Sequence, residues 1–251
     1  MVYTKEQIDL LDKYIEYAQH VKKLFNNGNN SMKKTNHQEH DDDPNYWNIL
    51  LKDIKETPEQ WKDKLALDFA CGCGRNIRNL LNTADFKRVD GCDVSHLNAE
   101  FSQEYIDSLF GPNKCIAWEN DGITLHPAKD NTYDFVMTCQ ALSHISVYDI
   151  RLMLLKEMHR VLKPGGLLSI HFMNRMPFTP SFQSGPDRNH VPYHANSSMP
   201  SGLRNMSIDN PDEVVNDLKK IGLRNITYVI TGVGTEYDYT PRPEYWFRGI
   251  K

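Results

Sequence analysis

The sequence predicts an α/β fold: a seven-stranded, mostly parallel, doubly wound sheet with helices on both faces and an antiparallel last strand. Three observations predict it. From Lys64 onward, short apolar runs alternate with amphipathic stretches of helix length, which is the pattern of βαβ units. Residues 65–76, LALDFACGCGRN, end an apolar run in a carboxylate and turn through glycines into a new amphipathic segment. The chain has 251 residues, 39% of them hydrophobic, enough for one large core.

In order, residues 4–25 predict a helix, because Ile8, Leu11, Ile15, Ala18 and Val21 recur at three- and four-residue steps. This helix is expected over the mouth of the site or at the sheet edge. Residues 26–45 are Asn-rich and nearly free of large apolar groups, so they read as a polar linker. Residues 1–45 therefore form a cap and residues 46–251 the main domain. A helix over 46–55 precedes the first strand, 64–69, and Ile77, Leu80 and Leu81 give the next helix its buried stripe. The second strand, 88–94, ends at Asp93, and Ser95 is an N-cap for a helix carrying Leu97, Phe101 and Ile106.

A third strand over 115–118 and a fourth over 133–138 precede a long amphipathic helix, 149–162. Lys163-Pro164-Gly165-Gly166 is expected to stop that helix, with a glycine as its left-handed cap, before a fifth strand at 167–173. Residues 174–206 break the rhythm with Pro177, Pro180, Pro186, Pro192 and Pro200, the mark of an irregular insertion. A helix over 211–221 and strands over 225–231 and 245–250 complete the chain.

Composition narrows the function. The net charge is −4 and no run of Lys/Arg exceeds a pair, so nucleic acid is not an expected partner. No apolar stretch approaches the ~18 residues of a membrane span and the first residues lack an apolar signal core, so a soluble, cytoplasmic chain without a membrane partner is expected. Five cysteines, an odd number, suit reduced thiols. Cys71 and Cys73 have no second Cys/His pair at ligand spacing, and the prolines around His190 and His194 argue against a helical ligand pair, so no metal is expected. His37 and His40, with Asp41, Asp42 and Asp43, read as part of the solvated linker.

Gly72 and Gly74 allow close backbone approach of a ligand at the turn, and Asp68 stands where a cationic or hydroxylated group could meet it. A nicotinamide fingerprint, Gly-x-Gly-x-x-Gly, fails here. Counted from Ala70 its third position falls on Arg75, and counted from Gly72 on Ile77.

LALDFACGCGRN, Asp93 at a strand end, the stretch Asn120-Asp121-Gly122-Ile123, YDFVMTCQALSHI and the KPGG turn together resemble the class I S-adenosylmethionine-dependent methyltransferases of the small-molecule type. The motifs run from about residue 65 to 172, and the order of elements extends the likeness to Lys251. The resemblance implies a Rossmann-like sheet, S-adenosyl-L-methionine as cofactor and S-adenosyl-L-homocysteine as product. Asp68, Ala70, Gly72 and Gly74 then occupy the acidic and small positions of the first motif, flanked by Cys71 and Asn76; Ala70 stands where glycine is usual. Asp93, next to Val94, is implied to accept both ribose hydroxyls, or else is a helix N-terminal acid. Asp121 is implied at the adenine amino group with Gly122 and Ile123 against the ring, or else forms an Asx turn. Cys139 and Gln140 are implied against the sulfonium and amino-acid end.

The same resemblance sets the acceptor side. His144 is the candidate base, against the alternative of a histidine hydrogen-bonded within its turn. His171 is a pocket-wall or core residue. In the insertion, Arg175, Arg188, His190 and Tyr193, with Arg204, would face the acceptor, and the arginines would suit an anionic one; a plain surface role is the other reading. The Asn/Asp-Pro-Pro-aromatic tetrad of methyltransferases acting on nucleobases and glutamine is missing, since those positions read CQAL. The expected activity is methyl transfer to an oxygen or nitrogen of a small-molecule metabolite by a monomer or homodimer. The alternative is a cofactor-binding protein without transfer.

Overall fold

The computed structural model describes residues 2–15, 19, 21–23, 48–173, 191–196, 206–231 and 244–251. The linker at 26–45, Arg175, Arg188, His190 and Arg204 lie outside the described residues, as does most of the insertion.

The main sheet has seven strands: β1 (Leu65–Phe69), β2 (Arg88–Asp93), β3 (Ala117–Glu119), β4 (Tyr133–Cys139), β5 (Leu162–Met173), β6 (Arg224–Thr231) and β7 (Glu244–Ile250). Their spatial order is β3-β2-β1-β4-β5-β7-β6. The pairs β1/β2, β1/β4, β2/β3 and β4/β5 are parallel, and β7 runs antiparallel to both β5 and β6. The expected sheet, antiparallel ending included, is the one observed.

Side-chain alternation along the strands splits the core in two. Leu67, Phe69, Val136, Leu168 and Phe172 pack on one face under α5 (Tyr148–Val161) and α6 (Pro211–Lys220). Ala66, Phe135 and Met137 pack on the other under α2 (Lys52–Glu56), α3 (Arg75–Thr83) and α4 (His96–Phe110). In α5 the spacing of Ile150, Met153, Leu154, Met158 and Val161 turns one apolar stripe to the sheet; Leu154, Met158 and Val161 are fully buried, each contributing about 1.5–3 kcal/mol. Ser95 caps α4 as expected, its Oγ accepting from the Asn98 N–H at 3.3 Å.

The N-terminal helix, α1 (residues 5–15, with helical backbone again at 19 and 21–23), lies along α5. Gln7 Nε2 donates to Glu157 Oε1 at 3.1 Å, Tyr14 donates to Asp149 at 3.0 Å, and Lys22 pairs with Glu119 at 2.8 Å.

The KPGG turn differs from expectation. α5 ends at Val161 with Leu162 already extended, so no glycine caps it. Leu162 pairs with Tyr133, and the ladder then slips before Leu167 pairs with Phe135, which makes Lys163–Gly166 a bulge inside β5. Gly165 takes φ +80° and donates its N–H to the Lys251 carbonyl at 2.9 Å. A Cβ on Gly166 would meet the Lys163 carbonyl at 2.9 Å, so glycine is required by packing. Pairing with the far end of the chain decides this turn, and local helix chemistry does not reveal it.

Candidate functional site at the strand ends

The parallel strands leave their carboxyl ends on one rim, where β1, β2 and β4 each turn back toward a helix. A cavity of about 210 Å³ opens there. After β1 it is walled by Phe69, Ala70, Cys71, Gly72, Cys73, Arg75 and Asn76; after β2 by Asp93, Val94 and Asn98; and after β3 by Asn120 and Gly122. Cys139, Gln140, Ala141, His144 and Ile145 close the β4 side, α5 adds Ile150 and Leu154, and α1 adds Val21.

The turn after β1 is built for close approach. Ala70 and Gly72 adopt φ of 58° and 52°, and a Cβ built on Gly72 would meet no protein atom within 4 Å, so the space beside that backbone belongs to the cavity. Ala70 holds, at a cost of about 1–2 kcal/mol, the left-handed conformation a glycine would take freely. Gln140 does the same after β4, with φ 63°. Gly74, by contrast, is off the cavity wall. Its φ is 85° and its Cβ would lie 2.7 Å from Ser102 Oγ, so it serves the packing of α3 on α4.

Asp93 is buried and densely held. Oδ2 accepts from the Gly72 N–H at 3.0 Å; Oδ1 accepts from the Ser95 N–H at 2.8 Å and from Asn98 Nδ2 at 3.2 Å. Burial raises its pKa, and the bonds from Ser95, Asn98 and Gly72 oppose that rise. A carboxylate offers about four lone-pair sites, so one of them stays open toward the cavity.

Asp68 lies behind the wall. Asn76 Nδ2 donates to its Oδ1 at 3.3 Å, while Oδ2 of Asp68 and Oδ1 of Asn76 are buried without a hydrogen-bond partner among the described residues. Burial pushes the Asp68 pKa up to about 7, with Asn76 and Arg75 pulling it down. Only Asn76 of the two stands on the cavity wall, so its Oδ1 is the acceptor a ligand donor can reach.

The loop after β3 departs from expectation. Asp121 spends both oxygens on its own loop, accepting from the Ile123 N–H at 2.9 Å, the Thr124 N–H at 2.6 Å and Thr124 Oγ1 at 2.8 Å. It is an Asx turn, and neither it nor the buried Ile123 lines the cavity; Asn120 and Gly122 do.

On the acceptor side, His144 ends the short 3-10 turn Leu142–His144 after β4 and stands on the cavity wall. Tyr193, expected there, is corrected to the core. It is buried to 1% exposure, edge-on to Tyr148 and Phe172, and under the Arg151 guanidinium at 5.2 Å. Buried Arg151 donates to the carbonyls of Ile145 and Tyr193, tying the cavity wall to the described piece of the insertion. His171 is fully buried and off the wall, stacked on Trp246.

Sequence reasoning named Asn120 only as part of its motif, and missed Asn98, Arg75 and the pair Ile150 and Leu154. Asn98 carried a readable signal, the Asp-x-Ser-x-x-Asn spacing that brings its amide back to Asp93. Ile150 and Leu154 did not, because cavity wall and core draw on the same helix stripe.

Among the described residues no group of three or more His, Cys, Asp or Glu side chains could hold a metal ion, and no helix is long and apolar enough to cross a membrane.

Residues 66–166 match the family model described as a methyltransferase domain. Over 125 residues the chain is 31% identical to the probable methyltransferase ltbC of Aspergillus luteorubrus, covering 48% of this chain and 42% of that protein. Over 121 residues it is 32% identical to a demethylmenaquinone methyltransferase of Staphylococcus epidermidis, covering 48% and 47%. The match thus spans less than half the length of both relatives. Among solved structures, Haemonchus contortus phosphoethanolamine N-methyltransferase 2 in complex with S-adenosyl-L-methionine superposes with a TM-score of 0.60 at 16% identity, over 82% of this chain and 52% of that one. At that identity the likeness is one of fold.

Proposed function

We propose, from the premise that residues 66–166 belong to the methyltransferase-domain family with the class I fold, that the protein transfers a methyl group from S-adenosyl-L-methionine to an oxygen or nitrogen of a small molecule. The observation that carries this reading is the pairing of the open backbone at Gly72 with the buried carboxylate of Asp93 on one cavity wall. The unpartnered Oδ1 of Asn76 on the cavity wall supports it, since an ammonium group brings the donor it lacks.

In this reading Asp93 accepts a ribose hydroxyl at its one open site, Gly72 and Ala70 admit the chain of the cofactor, Asn120 and Gly122 flank the base, and Arg75 supplies positive charge for a carboxylate. The cofactor, when bound, supplies an already activated methyl on a sulfonium. The residues of this chain then align and enclose. Val21, Ile145, Ile150 and Leu154 exclude water, and alignment of the reactants is worth about 7–11 kcal/mol. His144 takes the proton from an acceptor hydroxyl or amine. An anionic acceptor fits the arginines of the insertion, and the Haemonchus contortus enzyme has also been solved with phosphomonomethylethanolamine. A cytoplasmic, soluble monomer or homodimer acting on a small metabolite, with no nucleic acid partner, completes the reading.

The test is transfer itself. Protein incubated with methyl-labelled S-adenosylmethionine and a metabolite extract should release S-adenosylhomocysteine and label one small product. His144→Ala should cut that turnover by about 10²–10⁴-fold while cofactor affinity is unchanged. Binding without release of product in any extract would leave a cofactor-binding protein and overturn the enzyme reading; an undiminished rate in the variant would make His144 structural.

A further inference from the structure

Cys139, His171 and Trp246 stand side by side on three neighbouring strands, because the ladder pairs Cys139 of β4 with His171 of β5 and His171 with Trp246 of β7. Register partners share a face of the sheet, so the three side chains form one row. Cys139 Sγ lies 3.4 Å from His171 Nδ1, within hydrogen-bond reach for sulfur. The Trp246 indole stacks on the imidazole with centroids 3.8 Å apart and planes 13° from parallel. Beyond the ring, His171 Nε2 is 3.5 Å from a carboxylate oxygen of Glu244, whose side chain is 29% exposed. One end of the row reaches the cavity through Cys139; the strained turn at Gln140 follows directly.

A thiol and a base within reach of its proton are the core of an activated nucleophile, and Glu244 adds a negative charge near the far nitrogen of the base without a hydrogen bond to it. We propose that Cys139 is a reactive thiol, activated by His171 and Glu244, that bonds covalently to small soft electrophiles entering the cavity, namely activated alkenes of the α,β-unsaturated carbonyl class. The Sγ proton passes to His171 Nδ1, leaving Nε2–H toward Glu244. The thiolate adds to the β-carbon, the alkene π pair moves to the α-carbon as an enolate, and the imidazolium returns the proton there. An S–C and a C–H bond form while S–H and the C=C π bond are lost, so no oxidant or further reactant is needed.

Burial of His171 and Cys139 opposes a charged pair, and two neighbours offset it. Glu244 and the π face of Trp246 both stabilise an imidazolium, and among the described residues Cys139 from β4 and Glu244 from β7 are titratable groups that face the ring. Cys71 lines the same cavity and is buried like Cys139, but with carboxylates for neighbours: burial first, then Asp93 and Asp68, push its thiol pKa up. Burial pushes Cys92 and Cys115 up as well.

The probe is N-ethylmaleimide on the full chain, with alkylation at each of the five cysteines followed by peptide mass spectrometry. Cys139 should react at least about tenfold faster than Cys71 and Cys73, which share the cavity and so control for access. Its rate should stay nearly level between about pH 6 and 8, where an ordinary thiol accelerates about tenfold per unit. His171→Asn should lower the Cys139 rate about tenfold at neutral pH and restore the steep profile, with folding checked by thermal melting. Glu244→Gln, on a partly exposed side chain, should lower it about threefold and carries the test if the histidine variant does not fold. A Cys139 rate no higher than that of Cys73, a steep wild-type profile, or rates unchanged in both variants would overturn the proposal. None of these readouts depends on methyl transfer.

Discussion

Asp93 ends β2 and Asp68 stands next to last in β1, both buried, yet one carboxylate is densely held and the other is not. Asp93 already accepts three N–H bonds, whereas Asp68 accepts one and keeps Oδ2 without a partner among the described residues. Burial raises the pKa of both. The difference teaches that the Asp93 carboxylate is held in place by the fold itself, whereas the Asp68 carboxylate, behind the cavity wall, is left with a single donor among the described residues. Nature of the partner explains this. Backbone donors at 72 and 95 come free with the turns after β1 and β2, but none of the described residues returns a donor to Asp68 Oδ2.

The largest expected effect breaks the comparison at Asp68. Its folded pKa of about 7 exceeds the ordinary value of 3.8, so the folded state holds the proton more tightly. That contribution is fully present below pH 3.8 and is lost as pH rises through about 7. Ligand-free protein should therefore lose stability between those values, and Asp68→Asn should flatten the slope and gain about 2 kcal/mol at pH 8 in urea unfolding. A variant less stable than wild type at pH 8 would mean the carboxylate is better satisfied than the geometry says. The next effect falls on the densely held side. Ser95→Ala removes the cap of α4 beside Asp93 and should cost about 1 kcal/mol, read as a lower urea midpoint at constant slope. The smallest sharpens the turn between them: Ala70→Gly relieves a left-handed alanine and should gain about 0.5 kcal/mol in the same titration. A loss there would show that the methyl group packs usefully.

Features set by short-range chemistry were legible. The strand, glycine turn and helix at 65–76, the Ser95 cap and the carboxylate ending β2 follow from residues a few positions apart, and the structure brings Ala70, Cys71, Gly72, Asn76, Asp93, Val94, Gly122, Cys139, Gln140 and His144 to one cavity. What the sequence hid depends on distant pairing. Asp121 carries its motif in the right place, yet its own loop consumes its oxygens. Tyr193 sits in a polar, proline-rich stretch that gives no hint of Arg151 drawing it into the core. Gly165 and Gly166 read as a helix stop because the slip against Tyr133 and Phe135 and the contact with Lys251 are invisible along the chain. The row of Cys139, His171 and Trp246 exists only through strand register.

The central claim is that Asp93 anchors S-adenosyl-L-methionine across the ends of β1 and β2. Calorimetric titration of S-adenosyl-L-homocysteine into wild-type protein and into Asp93→Ala tests it most directly. The account predicts one binding site in the wild type and an affinity at least about tenfold weaker in the variant, since a charge-assisted contact to a hydroxyl is lost. Equal affinities, or no binding to the wild type, would contradict it.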